Sequence, residues 1–316
     1  QPGIGATPAQ GLEFIYKPDL SRLNQPGIWL AAAGQIFFTL SVGMGSLQAY
    51  ASYLSTKDDI ALNGLATAST NEATEVVLGG SIAIPAAVTF FGVAGAMQIA
   101  QGGSFDLGFA TMPVVFQQID KTLPVGNLLG VMWFGLLFFA GITSSVAMLT
   151  PVTAFFREEF GYKRETVAWI LGAVCFFIGL MHVHWLGHGF LDEWDYWVGT
   201  FGLVLVAVLE TVIFIWIFKP DNAWKSIHMG ADIQIPKIFK FIMTYVTPLY
   251  LFIILTWWGK DEAIPILLNQ RSAGSSTPVS DVDMPFITIS RGILILFVIV
   301  FLFFIRAAWK KNKYDD

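Results

Sequence analysis

Charge is what this sequence has least of. Only 13% of its 316 residues are Asp, Glu, Lys or Arg, against roughly 25% in soluble domains. That shortage excludes a chain whose whole surface faces water. Cysteine is nearly absent as well: Cys175 stands alone inside an apolar run, so no intrachain disulfide can form and the redox compartment cannot be read. The net charge of −5 is too slight to point to nucleic acid or any other charged partner. Soluble domains, heptad arrays and low-complexity linkers are missing too, and the loosest stretch is the loop 261–285, with AGSSTPVSDVD. The chain opens QPGIGATPAQ, without an initiator Met or a basic-apolar leader, and reads as one that starts midway.

What is there is apolar. Hydrophobic residues make up 55% and the mean hydropathy is +0.63, the composition of an integral membrane protein. A spanning helix needs about 20 mostly apolar residues, and seven segments qualify: about 27–54, 72–100, 125–156, 165–187, 193–218, 238–258 and 286–307. The expected fold is therefore an all-α membrane protein of seven transmembrane helices. Its layout is an external loop over 1–26, five helices over 27–218 with an amphipathic external lid at about 104–123, then two further helices and a cytoplasmic tail over 219–316. Basic loops stay cytoplasmic. Placing the C-terminus inside puts 12 of the 18 Lys and Arg on the cytoplasmic side and 6 outside, which makes the N-terminus of this chain external and the protein a multi-pass protein of the plasma (inner) membrane.

Several polar groups sit where lipid disfavours them. The run GQIFFTLSVGMGSLQAY, residues 34–50, carries Thr39, Ser41, Gly43 and Gly45 at its centre. Backbone polar groups in lipid must be paired, so a helix interrupted there has to be buried in protein or line a cavity. Glycine frees the chain to unwind and presents half-helix ends to ligands; close helix packing is the competing reading of the same glycines. Asn71 and Glu75 are four residues apart and share a helix face. Glu75 is either a buried functional carboxylate or a headgroup-level charge near a helix N-terminus. Ala140, Thr143 and Ser144 share another face, and neutral oxygens of this kind suit a hard cation; hydroxyls bonding back to their own helix are the alternative. Glu210 lies deep in its helix and needs a partner. Asp192, Glu193 and Asp195 read as a solvated cluster at a helix mouth. His182, His184 and His188 do not read as a metal site, because residues two apart point to opposite helix faces.

The runs GQIFFTLSVGMGSLQAYASY, NEATEVVLGGSIAIPAAVTFFG, LLFFAGITSSVAML, LDEWDYWVGT and IFKPDNAW closely resemble the neurotransmitter:sodium symporter family, in particular its bacterial amino-acid transporters. The resemblance runs from about Gly11 to the tail and covers helices six to twelve of a twelve-helix fold. It implies the second inverted repeat of the leucine-transporter fold plus two further helices, with the first helix of this chain broken at mid-membrane. It implies a secondary transporter rather than an enzyme: sodium-coupled symport of an amino acid, an apolar one by the pocket residues, through alternating access, with sodium ions as the coupled cofactor. The alternatives are a proton-coupled or sodium-independent permease, and a membrane scaffold or sensor of the same fold.

Residue by residue, the resemblance implies that Thr39 and Asn71 are ligands of one sodium ion. The Ala140 carbonyl with the Thr143 and Ser144 hydroxyls forms part of a second sodium site. Around the substrate it places Phe38, Thr39, Ser41, Met44, Ser144 and Met148, with Phe38 as an aromatic lid. It makes Asp195 the external gate acid and Tyr53 a support of the cytoplasmic gate. Glu158 stands where that gate's aspartate is expected, with a different reach. Gln35, Thr39 and Glu75 replace a bound chloride by a fixed carboxylate, which implies chloride independence. Met44 and Met148 depart from the bulkier or branched residues of the family pattern and give an adaptable apolar wall. The expected partners are the amino-acid substrate, the lipid bilayer and the missing helices one to five, from the same polypeptide or a companion chain. Because half of each ion site would come from those helices, this chain by itself is expected not to transport.

Overall fold

A computed structural model describes residues 7–101, 106–273 and 278–315. Among the described residues there is no strand. In chain order the helices are α1 (Pro8–Tyr16), α2 (Pro26–Thr39), α3 (Ser46–Ala51), α4 (Ile60–Gln98), α5 (Met112–Asp120), α6 (Gly126–Phe160), α7 (Arg164–His184), α8 (Phe190–Ile217), α9 (Pro220–Ile227), α10 (Lys237–Leu267) and α11 (Met284–Asp315). Six of them, α4, α6, α7, α8, α10 and α11, are long and apolar enough to cross a membrane. The segment at about 27–54, expected as a helix broken at mid-membrane, is two short pieces, α2 and α3, separated by a turn over 40–45.

The chemistry of each boundary is local. Pro26 opens α2 at a position where the missing amide costs nothing. Asp59 caps α4, its carboxylate accepting the Leu62 amide at 2.7 Å, so that helix starts about a turn after Lys57 and well before the expected residue 72. Within α4, Gly92 at φ 74 and ψ 169 bends the chain sharply. The lid expected at 104–123 is described from Asp106 and contains α5; residues 104 and 105 lie outside the described residues, as do 1–6 of the external loop and 274–277 of the loop 261–285.

That last loop is shorter than its polar composition suggests. Helix α10 runs on through Gly259 and Glu262 to Leu267, because Ala263 and Ile266 bury their side chains and Trp257 Nε1 donates to Asp261 one turn on at 2.7 Å. Burial of an apolar face outweighs local polarity here.

The chain divides into two packing units. The first comprises the described parts of Gln1–Ser21 with Asn63–Val146. In it α1 lies against α4, with Gly11 so close to Pro85 that a β-carbon would come within 2.4 Å of its Cα, and the Tyr16 hydroxyl meets Ser81 Oγ at 2.7 Å. Phe116 of α5 packs edge-on against Trp133 of α6. The second unit comprises Arg22–Leu62 with Ala147–Asp316. Its core joins α2, α8 and α10 through Leu30, Ala33, Val204, Val208, Leu251 and Ile254. Gly34 lets α2 approach α8 closely, since a β-carbon there would stand 3.3 Å from the Thr200 Cα. By contrast α6 buries none of its most apolar stretch.

Candidate functional site

The site is built on the break between α2 and α3. The α2 ladder runs as far as Val42 N donating to Phe37 O at 2.8 Å, and regular bonding resumes with Ala49 N donating to Gly45 O at 3.0 Å. Between them lie three left-handed residues: Ser41 at φ 57, Gly43 at φ 78 and Gly45 at φ 75. Glycine adopts this region at little cost. Serine does not, and a non-glycine residue held there marks stored strain of the kind found at ligand sites. Gly43 is constrained twice, since a β-carbon would also sit 3.0 Å from the Leu203 carbonyl of α8. Gly45 faces Pro151 of α6, 3.3 Å from where its β-carbon would stand.

Gln35, Phe38 and Thr39 lie on the last turn and a half of α2, Ser41 and Met44 in the turn itself, all in the second unit. Met148 of α6 belongs to the same unit. Phe38 and Met148 are half-exposed apolar side chains, and Thr39, Ser41 and Met44 are partly buried.

Asn71, Glu75, Ala140, Thr143 and Ser144 belong to the first unit. The structure brings two pairs of them together. Asn71 Nδ2 donates to Glu75 Oε2 at 3.4 Å, at the place where α4 widens into π-type turns over Ala73–Gly80, a distortion that often marks function. Thr143 Oγ1 donates to Phe139 O at 2.9 Å and Ala140 O at 3.1 Å, and Ser145 Oγ donates to Gly141 O at 2.7 Å. Thr143 is thus back-bonded, the alternative named above, as is Ser145 beside Ser144. The two readings are compatible, because a hydroxyl that donates its proton keeps two lone pairs for a cation.

Asp195 is exposed on α8, its carboxylate folded over Gly199: a β-carbon there would be 3.1 Å from Oδ1. Tyr53 lies fully in the open beyond α3, and Glu158 is exposed near the end of α6. Among the described residues no hydrogen bond joins Tyr53 to Glu158.

Glu193 departs from the sequence reading. It is 0% exposed rather than part of a solvated cluster. Arg291 of α11 grips it bidentately, Nε to Oε2 at 2.7 Å and a terminal nitrogen to Oε1 at 2.8 Å, and Trp197 Nε1 donates to Oε2 at 2.7 Å. Arg291 is satisfied further by Asn269 Oδ1 at 2.7 Å and Ile266 O at 3.1 Å. Nothing in the sequence separates Glu193 from Asp192 and Asp195 beside it; the available signal was Arg291, a lone charge in an apolar run that needs a partner. Glu210 also finds its partner: Gln48 Nε2 of α3 donates to Oε1 at 2.6 Å.

Comparison with known proteins gives a consistent result. The model of the Sodium:neurotransmitter symporter family matches residues 4–263. An uncharacterized sodium-dependent transporter of Methanocaldococcus jannaschii is 30% identical over 248 residues, covering 76% of this chain and 48% of that protein. Sodium-dependent nutrient amino acid transporter 1 of Drosophila erecta is 26% identical over 258 residues, 78% of this chain and 38% of that protein. The crystal structure of MhsT in complex with L-phenylalanine is similar with a TM-score of 0.68 at 26% identity, over 79% of this chain and 56% of that one. The chain thus spans about half or less of the length of these curated relatives.

Proposed function

We propose, from the premise that this chain belongs to the sodium:neurotransmitter symporter family, that it forms the part of a sodium-coupled amino-acid transporter that carries one broken helix and a share of the ion ligands. The family is one of secondary transporters, so no covalent chemistry is involved. The remaining helices come from the same polypeptide or a companion chain, and transport belongs to the complete assembly.

One observation carries the reading: the interruption over 40–45, with strained Ser41 and glycines at 43 and 45, between two helices of an otherwise charge-free run. Such a gap exposes carbonyls and amides that a small cation and a zwitterion can satisfy. Thr39, Asn71, the Ala140 carbonyl, Thr143 and Ser144 act as oxygen donors to sodium. Phe38, Ser41, Met44 and Met148 shape the substrate's surroundings, and their apolar, adaptable character favours an apolar amino acid. A relative's structure holding L-phenylalanine supports that choice. Glu75, engaged by the Asn71 amide, supplies a fixed negative charge with Gln35 and Thr39 in place of chloride. Asp195 serves the external gate, Tyr53 and Glu158 the cytoplasmic one.

Sodium drives the cycle because it binds the substrate-loaded, closed geometry better than the open ones, and a ligand shifts an equilibrium only by that difference. The test is sodium-stimulated binding of radiolabelled phenylalanine or leucine to the complete transporter. Asn71→Ala is expected to weaken the sodium dependence by an order of magnitude or more, roughly the worth of a charged hydrogen-bonding ligand. Binding that is indifferent to replacing sodium by potassium overturns the proposal.

A further inference from the structure

Helix α2 begins without the groups that usually steady a helix start. Gln25 at its N-cap makes no side-chain bond to the first turn, and that turn holds no acidic residue. The anion comes from another helix. Glu262 of α10 lays its carboxylate over Gly27, where a β-carbon would meet Oε1 at 2.2 Å, the carboxyl carbon at 2.9 Å and Oε2 at 3.0 Å. Only glycine allows that approach, and a carboxylate so placed meets the positive end of the α2 dipole.

The carboxylate is itself held. Helix α10 widens into π-type turns over Gly259–Ala263, a distortion frequent at functional positions. The Tyr196 hydroxyl of α8 donates to Glu262 Oε2 at 3.4 Å, and the Trp258 indole N–H donates in turn to the Tyr196 hydroxyl. Trp258 and Tyr196 are both buried, and Phe201 stacks on Trp258 with ring centres 4.5 Å apart. A relay from Trp258 through Tyr196 to Glu262 therefore ties α8 and α10 to the first turn of α2.

The turn over 40–45 uncouples α2 from α3, so α2 takes its place from its own contacts. Those along its flank, such as Leu30 and Ala33, are apolar and non-directional. Glu262 is the directional contact at its end. From Gly27 to Thr39 is about 18 Å of helix axis at 1.5 Å per residue, and a slip or rotation at the start of such a rod reappears at Phe38 and Thr39. We propose that Glu262 is a positioning residue for the ligand groups of α2, acting through the start of that helix without touching substrate or ion. The inference rests on the reading of α2 as the half-helix that carries Phe38 and Thr39 to the site.

The test takes two readouts on the complete transporter in detergent, in a Cys175→Ser background. One is the distance between spin labels at Ile36 of α2 and Leu205 of α8, both exposed, measured without substrate. The other is sodium-stimulated binding of radiolabelled leucine. Glu262→Gln keeps the side chain's size and an acceptor for Tyr196 but loses the charge. It is expected to broaden the distance distribution and to raise the leucine Kd about fivefold, with the unfolding midpoint close to that of the unaltered protein. Gly27→Ala, which pushes the start of α2 off the carboxylate, is expected to act in the same direction. Adding Gln25→Asp to Glu262→Gln gives α2 a cap of its own and should restore neither readout. Full recovery in that double variant overturns the proposal, because Glu262 would then only stabilise the helix, and so does an unchanged distance in Glu262→Gln. A broadened distance in Glu262→Gln, with no sodium-stimulated binding by the unaltered protein, would refute the transport reading and leave the placement of α2 by Glu262 standing.

Discussion

Gln48 and Glu210 stand 162 residues apart in sequence, yet the Gln48 amide donates to the Glu210 carboxylate at 2.6 Å. The second half of the broken helix is thereby tied to the middle of α8, an apolar helix in which a lone carboxylate is costly. Gln48→Leu leaves that carboxylate without this donor and is expected to destabilise the protein by about 1–2 kcal/mol. Adding Glu210→Leu to Gln48→Leu should recover part of the loss. Thermal unfolding of the four members of the cycle measures the coupling, and simple additivity would show the bond to be idle.

The Arg291–Glu193 pair makes a steeper prediction. Arg291 has a 17% exposed side chain and Glu193 only 1%. Arg291→Met strands a buried carboxylate and is expected to cost about 3–5 kcal/mol, whereas Arg291→Met with Glu193→Met together should cost much less. Chemical denaturation in mixed micelles distinguishes the two. Equal losses in the single and double variants would mean that packing around Trp197, and not the charge pair, carries the contribution.

Gly43 has no tolerated replacement. Its φ of 78 and its 3.0 Å approach to Leu203 O predict that Gly43→Ala loses about 1–2 kcal/mol from the left-handed strain, plus whatever shift the carbonyl must make. Ligand binding should fall with it, because the turn that would present the backbone is displaced. A binding isotherm on protein that remains folded separates the two effects.

Acid should act on the cap of α4. Asp59 accepts the Leu62 amide and the Asp232 amide, each at 2.7 Å, and these bonds, Leu62's first, hold its carboxyl below the usual range. A depressed folded pKa means the bond's stabilisation is complete above the unfolded value of about 3.9 and is lost as pH falls through the lower folded value. The protection of the Asp232 amide against hydrogen exchange, taken relative to its intrinsic rate at each pH, should therefore fall on acidification in the native protein. In Asp59→Asn the protection should already be low at neutral pH and show no such step.

Anion dependence tests Glu75. Uptake by the complete transporter is expected to be the same in chloride and in gluconate. Glu75→Ser, which removes the fixed charge, should slow uptake in gluconate and respond to added chloride. A native protein that requires chloride would refute the substitution of halide by carboxylate.

Much of the fold was legible in the residues alone. The scarcity of charge made the chain a membrane protein, because burial in lipid is the only environment its apolar surface suits. Hydroxyls and paired glycines at 39–45 marked the break, because each acts on its own backbone within a residue or two. The spacing of Asn71 and Glu75 put them on one face by helical period alone. Such features are local, and local geometry is written in neighbouring residues.

Pairing across the fold was not. That Glu193 is buried depends on Arg291, 98 residues away; that Glu210 is held depends on Gln48; that α10 continues to Leu267 depends on what Ala263 and Ile266 bury against. A charged residue next to a helix mouth looks the same in sequence whether water or a distant guanidinium receives it. Composition and period therefore determined that the chain is a helical membrane protein and where its backbone breaks, and tertiary packing alone decided which polar groups face one another, since the energy of a buried charge is set by its partner and not by its neighbours.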